Sequence, residues 1–294
     1  MVRVSSESLT RRFDFRTAVI LMLFGIAVAS LSRHASADSE WPRFRGPGAR
    51  GVSDHPQLPD RWSESENILW KRPVPGRGWA SPIVSGDRVF VVTVTREGMP
   101  ESARPGLYFG GNRPKPDDAM HEWKLLCLNL KDGSELWQKT LHRAKPKSAR
   151  HLKNSYASET PVTDGERVYV LFGDVGLFCL TVEGDNVWSK PLPPCQTRFD
   201  WGTASSPVLH NNRIYMVSDS EDESYLAAFD KHTGDQVWRV KRDEGSNWAT
   251  PFVWDNEIRS EIVTSGTGRI RSYDLDGRLL YELGGSSTIN IGTP

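Results

Sequence analysis

The chain has 294 residues, of which 37% are hydrophobic and 25% are charged, and this composition excludes an intrinsically disordered protein. Its 37 Lys and Arg balance 37 Asp and Glu, so no global charge attracts nucleic acid or an anionic membrane surface. The 11 Trp, 25 Gly and 19 Pro indicate many short strands joined by turns.

The N-terminus has the pattern of an export signal. Arg11, Arg12 and Arg16 precede an apolar stretch from Ala18 to Ala29, and Ala35-Ser36-Ala37 follows with the small side chains of a signal-peptidase site. The apolar run is shorter than the roughly 20 residues that span a membrane. Residues 1–37 are therefore predicted to be a signal peptide, with the Sec and twin-arginine routes both open. We expect the mature protein in the periplasm or outside the cell, without a transmembrane span.

A repeat decides the predicted fold. Pro161, Pro207 and Pro251 recur at intervals of about 44 residues, and a longer interval separates them from Pro82. Each proline precedes a short apolar strand, a polar turn and an alternating strand, and two further strands follow around a turn that contains Gly. Four antiparallel strands per repeat form one blade of a β-propeller. The predicted fold class is all-β, a propeller of four-stranded antiparallel blades with four full blades in this chain.

An aromatic residue ends each repeat at a constant place. Because its place is constant, it is predicted to pack against the neighbouring blade rather than to stack on a ligand. The predicted docking residues are Trp70, Trp137, Trp188, Trp238 and Tyr281. Two of the three cysteines, Cys127 and Cys179, occupy matching places in successive repeats and are predicted to be small buried thiols.

The propeller repeats are assigned to residues 68–294, after an N-terminal extension over residues 38–67. An insertion loop over about residues 96–122 lengthens the first repeat. The segment around Trp70 matches only the last strand of a blade, and Thr293-Pro294 matches only the beginning of one. Because propellers commonly close by completing one blade from both termini, we expect a C-terminally truncated ring that holds seven or eight blades when complete.

The repeats resemble a known family. Ala228-x-Asp230-x-x-Thr233-Gly234-x-x-x-Trp238 is similar at every defined place to the tryptophan-docking motif of PQQ-like (pyrroloquinoline quinone) repeats. The stretch from Cys127 to Trp137 matches this motif in part. The chain is thereby identified as a member of the PQQ-like β-propeller repeat family, in the quinoprotein alcohol dehydrogenase-like superfamily, and it is similar to exported bacterial BamB-like propeller proteins.

The resemblance implies two classes of function. One branch contains PQQ-dependent alcohol and glucose dehydrogenases, which bind the quinone and Ca²⁺ on the propeller axis. The other contains non-catalytic scaffolds, including a periplasmic lipoprotein that assists outer-membrane β-barrel assembly. The vicinal cysteine pair that covers the quinone in the dehydrogenases has no counterpart in this sequence.

A non-catalytic binding or scaffolding module is therefore the preferred interpretation, and its partner would be an exported or envelope protein or a small ligand, not nucleic acid. The first alternative is a quinoprotein-like oxidoreductase that binds PQQ and Ca²⁺ on the axis. The second alternative is a carbohydrate-binding propeller. No catalytic residue is assigned.

The candidate ligand site precedes the first strand of each blade. Segments that lead into the innermost strands of a propeller converge near its axis, and aromatic walls with a few polar groups suit a planar ligand or a sugar. The alternative is that these aromatics pack between blades while the polar groups cap turns. The candidate ligand-binding residues are Trp79, Asn154, Tyr156, Asp200, Trp201, Asn247 and Trp248.

Motifs for metal or hydrolytic chemistry are missing from the sequence. It contains no His-Glu-x-x-His, no Cys-x-x-Cys, no Gly-x-Ser-x-Gly and no P-loop. Asp219, Glu221, Asp222 and Glu223 cluster at a predicted hairpin tip. They lack the ligand spacing of an EF-hand, so they are interpreted as a solvated turn and no metal site is predicted.

Overall fold

The structure, a computed structural model, describes residues 40–98 and 115–294. The predicted signal peptide and the middle of the predicted insertion loop lie outside the described residues. The described part contains sixteen β-strands and two short 3-10 helices, Pro47–Ala49 and Arg198–Asp200. It holds no helix that is long and apolar enough to cross a membrane.

The strands form four separate sheets, each of four antiparallel strands joined in sequence order. Blade 1 consists of β1 (Ile83–Ser85), β2 (Arg88–Arg96), β3 (His121–Asn129) and β4 (Glu135–Ala144). Blade 2 consists of β5 (Val162–Thr163), β6 (Arg167–Phe172), β7 (Gly176–Thr181) and β8 (Asn186–Pro191). Blade 3 consists of β9 (Val208–His210), β10 (Arg213–Ser218), β11 (Ser224–Asp230) and β12 (Gln236–Arg242). Blade 4 consists of β13 (Phe252–Asp255), β14 (Ser260–Gly266), β15 (Arg269–Tyr273) and β16 (Leu279–Gly284).

This architecture confirms the predicted all-β propeller fold and its four full blades. The first strands β1, β5, β9 and β13 contact one another in sequence order, so they are the innermost strands. The N-terminal extension lies along them: Trp41 pairs with Val84 of β1, and the carbonyl oxygen of Pro42 accepts from the Thr163 N–H of β5 at 2.9 Å.

The second strand of a central blade is apolar on both of its faces. In β6, Val168 and Val170 pack in a core shared with blade 1, whereas Tyr169 and Leu171 pack in a core shared with blade 3. A third core lies between blades 3 and 4. Because β6 and β10 are each buried between two neighbouring blades, their sequences are nearly continuous apolar runs.

The aromatic residues at the ends of the blades make one recurring contact. The Trp137 indole N–H donates to the Val182 carbonyl oxygen in the next blade at 3.1 Å. Its ring covers Gly184, where a Cβ would lie 2.8 Å from ring carbon Cδ2 and where φ is +93°. Only Gly therefore fits this turn. The same pairing joins Trp70 to Leu130 and Gly133, Trp188 to Lys231 and Gly234, and Trp238 to Leu275 and Gly277.

Tyr281 ends blade 4 and is 36% exposed. The two matching cysteines lie beside the docked rings, because Cys127 pairs across the sheet with Trp137 and Cys179 pairs with Trp188. Both thiols are buried, as predicted, and burial raises the pKa of each to about 12.

Candidate functional site

The segments that precede the first strands form one continuous layer at the same end of the blades. We call them the lead-in segments: residues 76–82, 154–161, 200–207 and 245–251. The Trp79 N–H donates to the Ala157 carbonyl oxygen at 2.9 Å, which joins the first segment to the second. The Asn154 side-chain amide donates to the Trp201 carbonyl oxygen at 2.9 Å, which joins the second to the third. The blades are therefore connected at this end by polar bonds, in addition to their apolar cores.

Two of the candidate aromatics lie together at the third and fourth segments. The ring centroids of Trp201 and Trp248 are 5.6 Å apart, and the Trp248 indole N–H donates to the Gly202 carbonyl oxygen at 2.6 Å. Trp248 is only 8% exposed. Its ring therefore packs between blades and presents little surface to a ligand.

The candidate amides are engaged in the same layer. The Asn154 Oδ1 accepts from the Ser158 hydroxyl at 2.6 Å. The Asn247 amide donates to the Gly245 carbonyl oxygen at 2.9 Å, and its Oδ1 accepts from the Asn290 N–H at 3.1 Å. Asp200 is the last residue of the short 3-10 helix Arg198–Asp200, directly before Trp201, and its φ is +55°. Asn154 and Asn247 thus hold segments in place, as the turn-capping alternative requires.

The remaining two candidates differ in exposure. Tyr156 lies against His121 and Trp123 of blade 1, at centroid distances of 5.4 and 6.0 Å, and its hydroxyl donates to the Ser148 carbonyl oxygen at 3.2 Å. Burial raises the pKa of Tyr156 to about 12. Trp79 is 56% exposed, so it is the candidate aromatic that presents a broad surface to a partner.

The space enclosed beneath these residues is small. Asn247 and Trp248 line a cavity of about 20 Å³ together with Glu159, Cys195 and Asp219, which is room for about one water molecule. Glu159 accepts from the Gly173 N–H at 3.2 Å, and burial raises its pKa to about 7. A carboxyl group with such a pKa can hold or release a proton near neutral pH.

A buried ionic network joins blade 3 to blade 4 beside this cavity. The Arg242 guanidinium binds Asp219 in a bidentate pair at 2.9 and 3.1 Å, and both side chains are fully buried. Glu244, also fully buried, lies 3.6 Å from Arg242 and pairs with Arg271 of β15. Burial raises the pKa of Asp219 to about 6, and the charge of Arg242 opposes this rise. The interpretation of Asp219 as part of a solvated turn was therefore wrong, because its carboxylate pairs with Arg242 in the buried network between blades 3 and 4.

A wider cleft opens on the same face. It has a volume of about 450 Å³ and lies between loops that precede the second and third lead-in segments. Its charged lining residues are Lys115, Lys147, Asp200 and Asp222. Cys195 lines both this cleft and the small cavity. Burial raises the pKa of Cys195 to about 12, so its thiol is protonated at neutral pH. No group of His, Cys, Asp and Glu in the described ranges has an arrangement that would hold a metal ion.

Comparison with known proteins shows a similarity to one family of repeats. Residues 172–291 match the family model described as outer membrane protein assembly factor BamB. This part of the chain is similar to the PQQ-like repeats of that family. This confirms the resemblance to the PQQ-like propeller family that the docking motif indicates. No curated protein sequence matches the chain.

One solved structure shares the fold of these blades, and two others align with lower scores. The quinohemoprotein alcohol dehydrogenase of Comamonas testosteroni aligns at 13% identity and a TM-score of 0.50, over 88% of this chain and 43% of that one. The quinohemoprotein alcohol dehydrogenase ADHIIG of Pseudomonas putida aligns at 14% identity and 0.47, over 75% of this chain and 36% of that one. BamB of Moraxella catarrhalis aligns at 14% identity and 0.41, over 76% of this chain and 69% of that one. The chain thus spans less than half the length of the two dehydrogenases.

The structure also presents polar groups that the sequence did not single out. Glu159 is buried within the second lead-in segment and Asp174 is buried after β6, while Arg242 and Glu244 are buried in the ionic network. Their positions in the repeat hold different residues in other blades, so periodicity gave no signal for them. Arg77 did carry a local signal, because it lies between Gly76 and Gly78, two residues before Trp79.

Proposed function

We propose that the chain is an exported propeller that acts as a non-catalytic binding or scaffolding module for another protein of the cell envelope. The observation that supports this most is the bonding of the lead-in segments. Asn154, Tyr156 and Trp248 each donate a side-chain hydrogen bond to a backbone carbonyl oxygen. These bonds hold the lead-in segments in one arrangement, and we call the surface that the segments form the lead-in face. A partner would recognise the shape of this face and its exposed apolar surface.

The location of the partner follows from two further features. The N-terminal pattern directs the chain out of the cytoplasm, and the matching family model is named for outer-membrane protein assembly. Trp79 projects from the lead-in face with 56% of its surface exposed, and exposed Trp residues often dominate protein interfaces. We therefore propose that the partner contacts the lead-in face around Trp79.

Site-specific photocrosslinking tests this proposal. A photoreactive amino acid at position 79, introduced into the full chain in its native host, is expected to give one discrete protein adduct. The matched control is the same amino acid at Ile258, which is 84% exposed in the turn between β13 and β14, at the opposite end of the strands. Equal adducts from both positions, or none from position 79, would argue against a partner on this face.

A second candidate, a quinoprotein-like oxidoreductase, is favoured by Glu159, whose raised pKa suits a general base. The candidate residues Asn247 and Trp248, however, enclose space for about one water molecule, so they do not fit a tricyclic quinone. Titration of PQQ with Ca²⁺, followed by absorbance, separates the two functions. Stoichiometric binding that Glu159→Gln or Asn247→Ala abolishes would favour the oxidoreductase.

A further inference from the structure

A positively charged cavity lies between blades 1 and 2 at the lead-in end of the strands. Its volume is about 240 Å³, and its lining includes Arg77, Arg96, Arg150, His121 and Tyr156. None of the described lining residues is acidic. Such a concentration of arginines is unexpected on a chain whose formal net charge is zero.

Arg77 is held in this cavity by its backbone. Its N–H donates to the Val94 carbonyl oxygen at 3.0 Å, and its own carbonyl oxygen accepts from the Val94 N–H at 2.9 Å. Within the described residues the Arg77 guanidinium has no hydrogen bond and no ion pair, although its five N–H groups are donors. The side chain is therefore placed in the cavity but remains available to an anion.

The two glycines beside Arg77 fix its position. A Cβ at Gly76 would clash with the Val94 carbonyl oxygen, and one at Gly78 would clash with the Val92 carbonyl oxygen. Gly76 also has φ +81°, which disfavours any other residue. Glycine is therefore required on both sides of Arg77, where the segment runs close to β2, and the point from which Arg77 projects is built into the fold.

The other two arginines are ordered without a ligand. Arg96 binds Asp117 in a bidentate pair, with distances of 2.7 and 3.1 Å. The Arg150 guanidinium lies 5.1 Å from the Tyr156 ring centroid, and it donates to the Asn154 carbonyl oxygen at 2.9 Å. A ligand that contacts Arg96 and Arg150 need not restrict the rotation of their side chains, which removes this entropy cost of binding.

His121 lines the same cavity as the arginines. Its ring is buried, and burial lowers its pKa, as do the charges of Arg150 and Arg96, while Asp117 opposes them. Its Nδ1 lies 2.9 Å from the Ala119 carbonyl oxygen, so the neutral ring donates there. The charges that disfavour a protonated His121 favour an anion in the same space.

We propose that this cavity binds a small organic anion that carries a carboxylate or phosphate group, with Arg77 as the residue that recognises it. A guanidinium pairs with either group through two parallel hydrogen bonds. The Val94 side chain and the Tyr156 ring supply apolar surface for the rest of the molecule. The cavity is smaller than the 300–1,000 Å³ typical of drug-sized ligands, so the anion has the size of a small metabolite. This site goes beyond the proposed partner binding and does not depend on it.

Isothermal titration calorimetry tests the site with three probes: succinate, inorganic phosphate and the neutral analogue succinamide. We expect succinate, phosphate or both to bind the full chain with a dissociation constant below about 1 mM, and succinamide not to bind. Comparing the affinities of succinate and phosphate shows whether the cavity prefers a carboxylate or a phosphate group. Arg77→Gln is expected to weaken binding about tenfold or more, because it removes a charged hydrogen-bonding partner.

Arg72→Gln is the matched control, because Arg72 lies five positions earlier, on the surface, and pairs with Glu135 instead. Arg77→Lys, which keeps the charge, is expected to retain part of the affinity. Circular dichroism and thermal melting of each variant exclude unfolding as the cause of lost binding. Equal binding by the two Gln variants, equal binding of succinamide, or no binding of either anion to the folded chain would overturn the proposal.

Discussion

At the outer strands of the propeller, which we call the rim, one tryptophan contact recurs between successive blades. On the lead-in face a backbone N–H bond to a Thr or Ser hydroxyl also recurs, but the contacts around it differ from one pair of blades to the next. Trp137, Trp188 and Trp238 each donate to a carbonyl oxygen in the following blade at 3.1 Å and each cover a turn glycine. On the lead-in face, blades 1 and 2 meet at arginines and aromatics, and blades 3 and 4 meet at a buried ionic network. The rim specifies the fold, and the lead-in face is where this chain differs from a simple repeat.

The ionic network gives the largest expected effect. Asp219→Ala leaves the Arg242 charge buried without its bidentate partner, and we expect a loss of about 4 kcal/mol in the free energy of unfolding. Glu223→Ala is the control, because Glu223 belongs to the same turn but forms an exposed pair with Arg239. That change is expected to cost less than about 1 kcal/mol. Urea denaturation of both variants measures the difference, and equal losses would remove the contrast between buried and exposed charge.

The docked tryptophans are expected to rank second. Trp238→Ala removes a ring that packs on Gly277 and an N–H bond to Leu275, at a cost of about 3 kcal/mol. Trp254→Ala, at a ring that is 46% exposed on blade 4, is expected to cost less than about 1 kcal/mol. Denaturant midpoints of the two variants check this ranking. A similar cost for both would mean that docking adds little to inter-blade stability.

The pH dependence of stability sharpens the contrast, because the lead-in face contains Glu159, whose pKa is raised by burial. Burial raises the pKa of Glu159 in the folded state to about 7, from its usual value of 4.5, so the folded state holds a proton that the unfolded state releases between these values. Stability from this group is therefore lost as pH rises from about 4.5 to 7.

Glu159→Gln removes this titration. We expect the stability of the variant, relative to the unchanged chain, to improve by about 2 to 3 kcal/mol between pH 4.5 and 8. Unfolding curves at several pH values give this difference. The control is Glu166→Gln, on an exposed turn, for which the relative stability is expected to stay constant. A flat difference for Glu159→Gln as well would show that its carboxyl group is ionised in the folded state.

Much of the fold was predictable because it repeats. The intervals between Pro161, Pro207 and Pro251 and the Gly and Trp of each repeat are enough to predict four blades and the places of the docked rings. The candidate site was predicted only as a set of positions. The sequence placed Asn154, Tyr156 and Trp248 in one layer, but it left open whether they face a ligand or one another, and their hydrogen bonds favour the second.

The sequence by itself determined the class of fold, the number of blades in this chain and the burial of Cys127 and Cys179. This is because residues that repeat along the sequence occupy equivalent surroundings in successive blades. Only the tertiary structure decided that Asp219 is buried with Arg242 and that Arg77 projects into a cavity between two blades. These properties depend on which side chain a neighbouring blade presents. Residues far apart in the chain provide those side chains, and no local pattern records them.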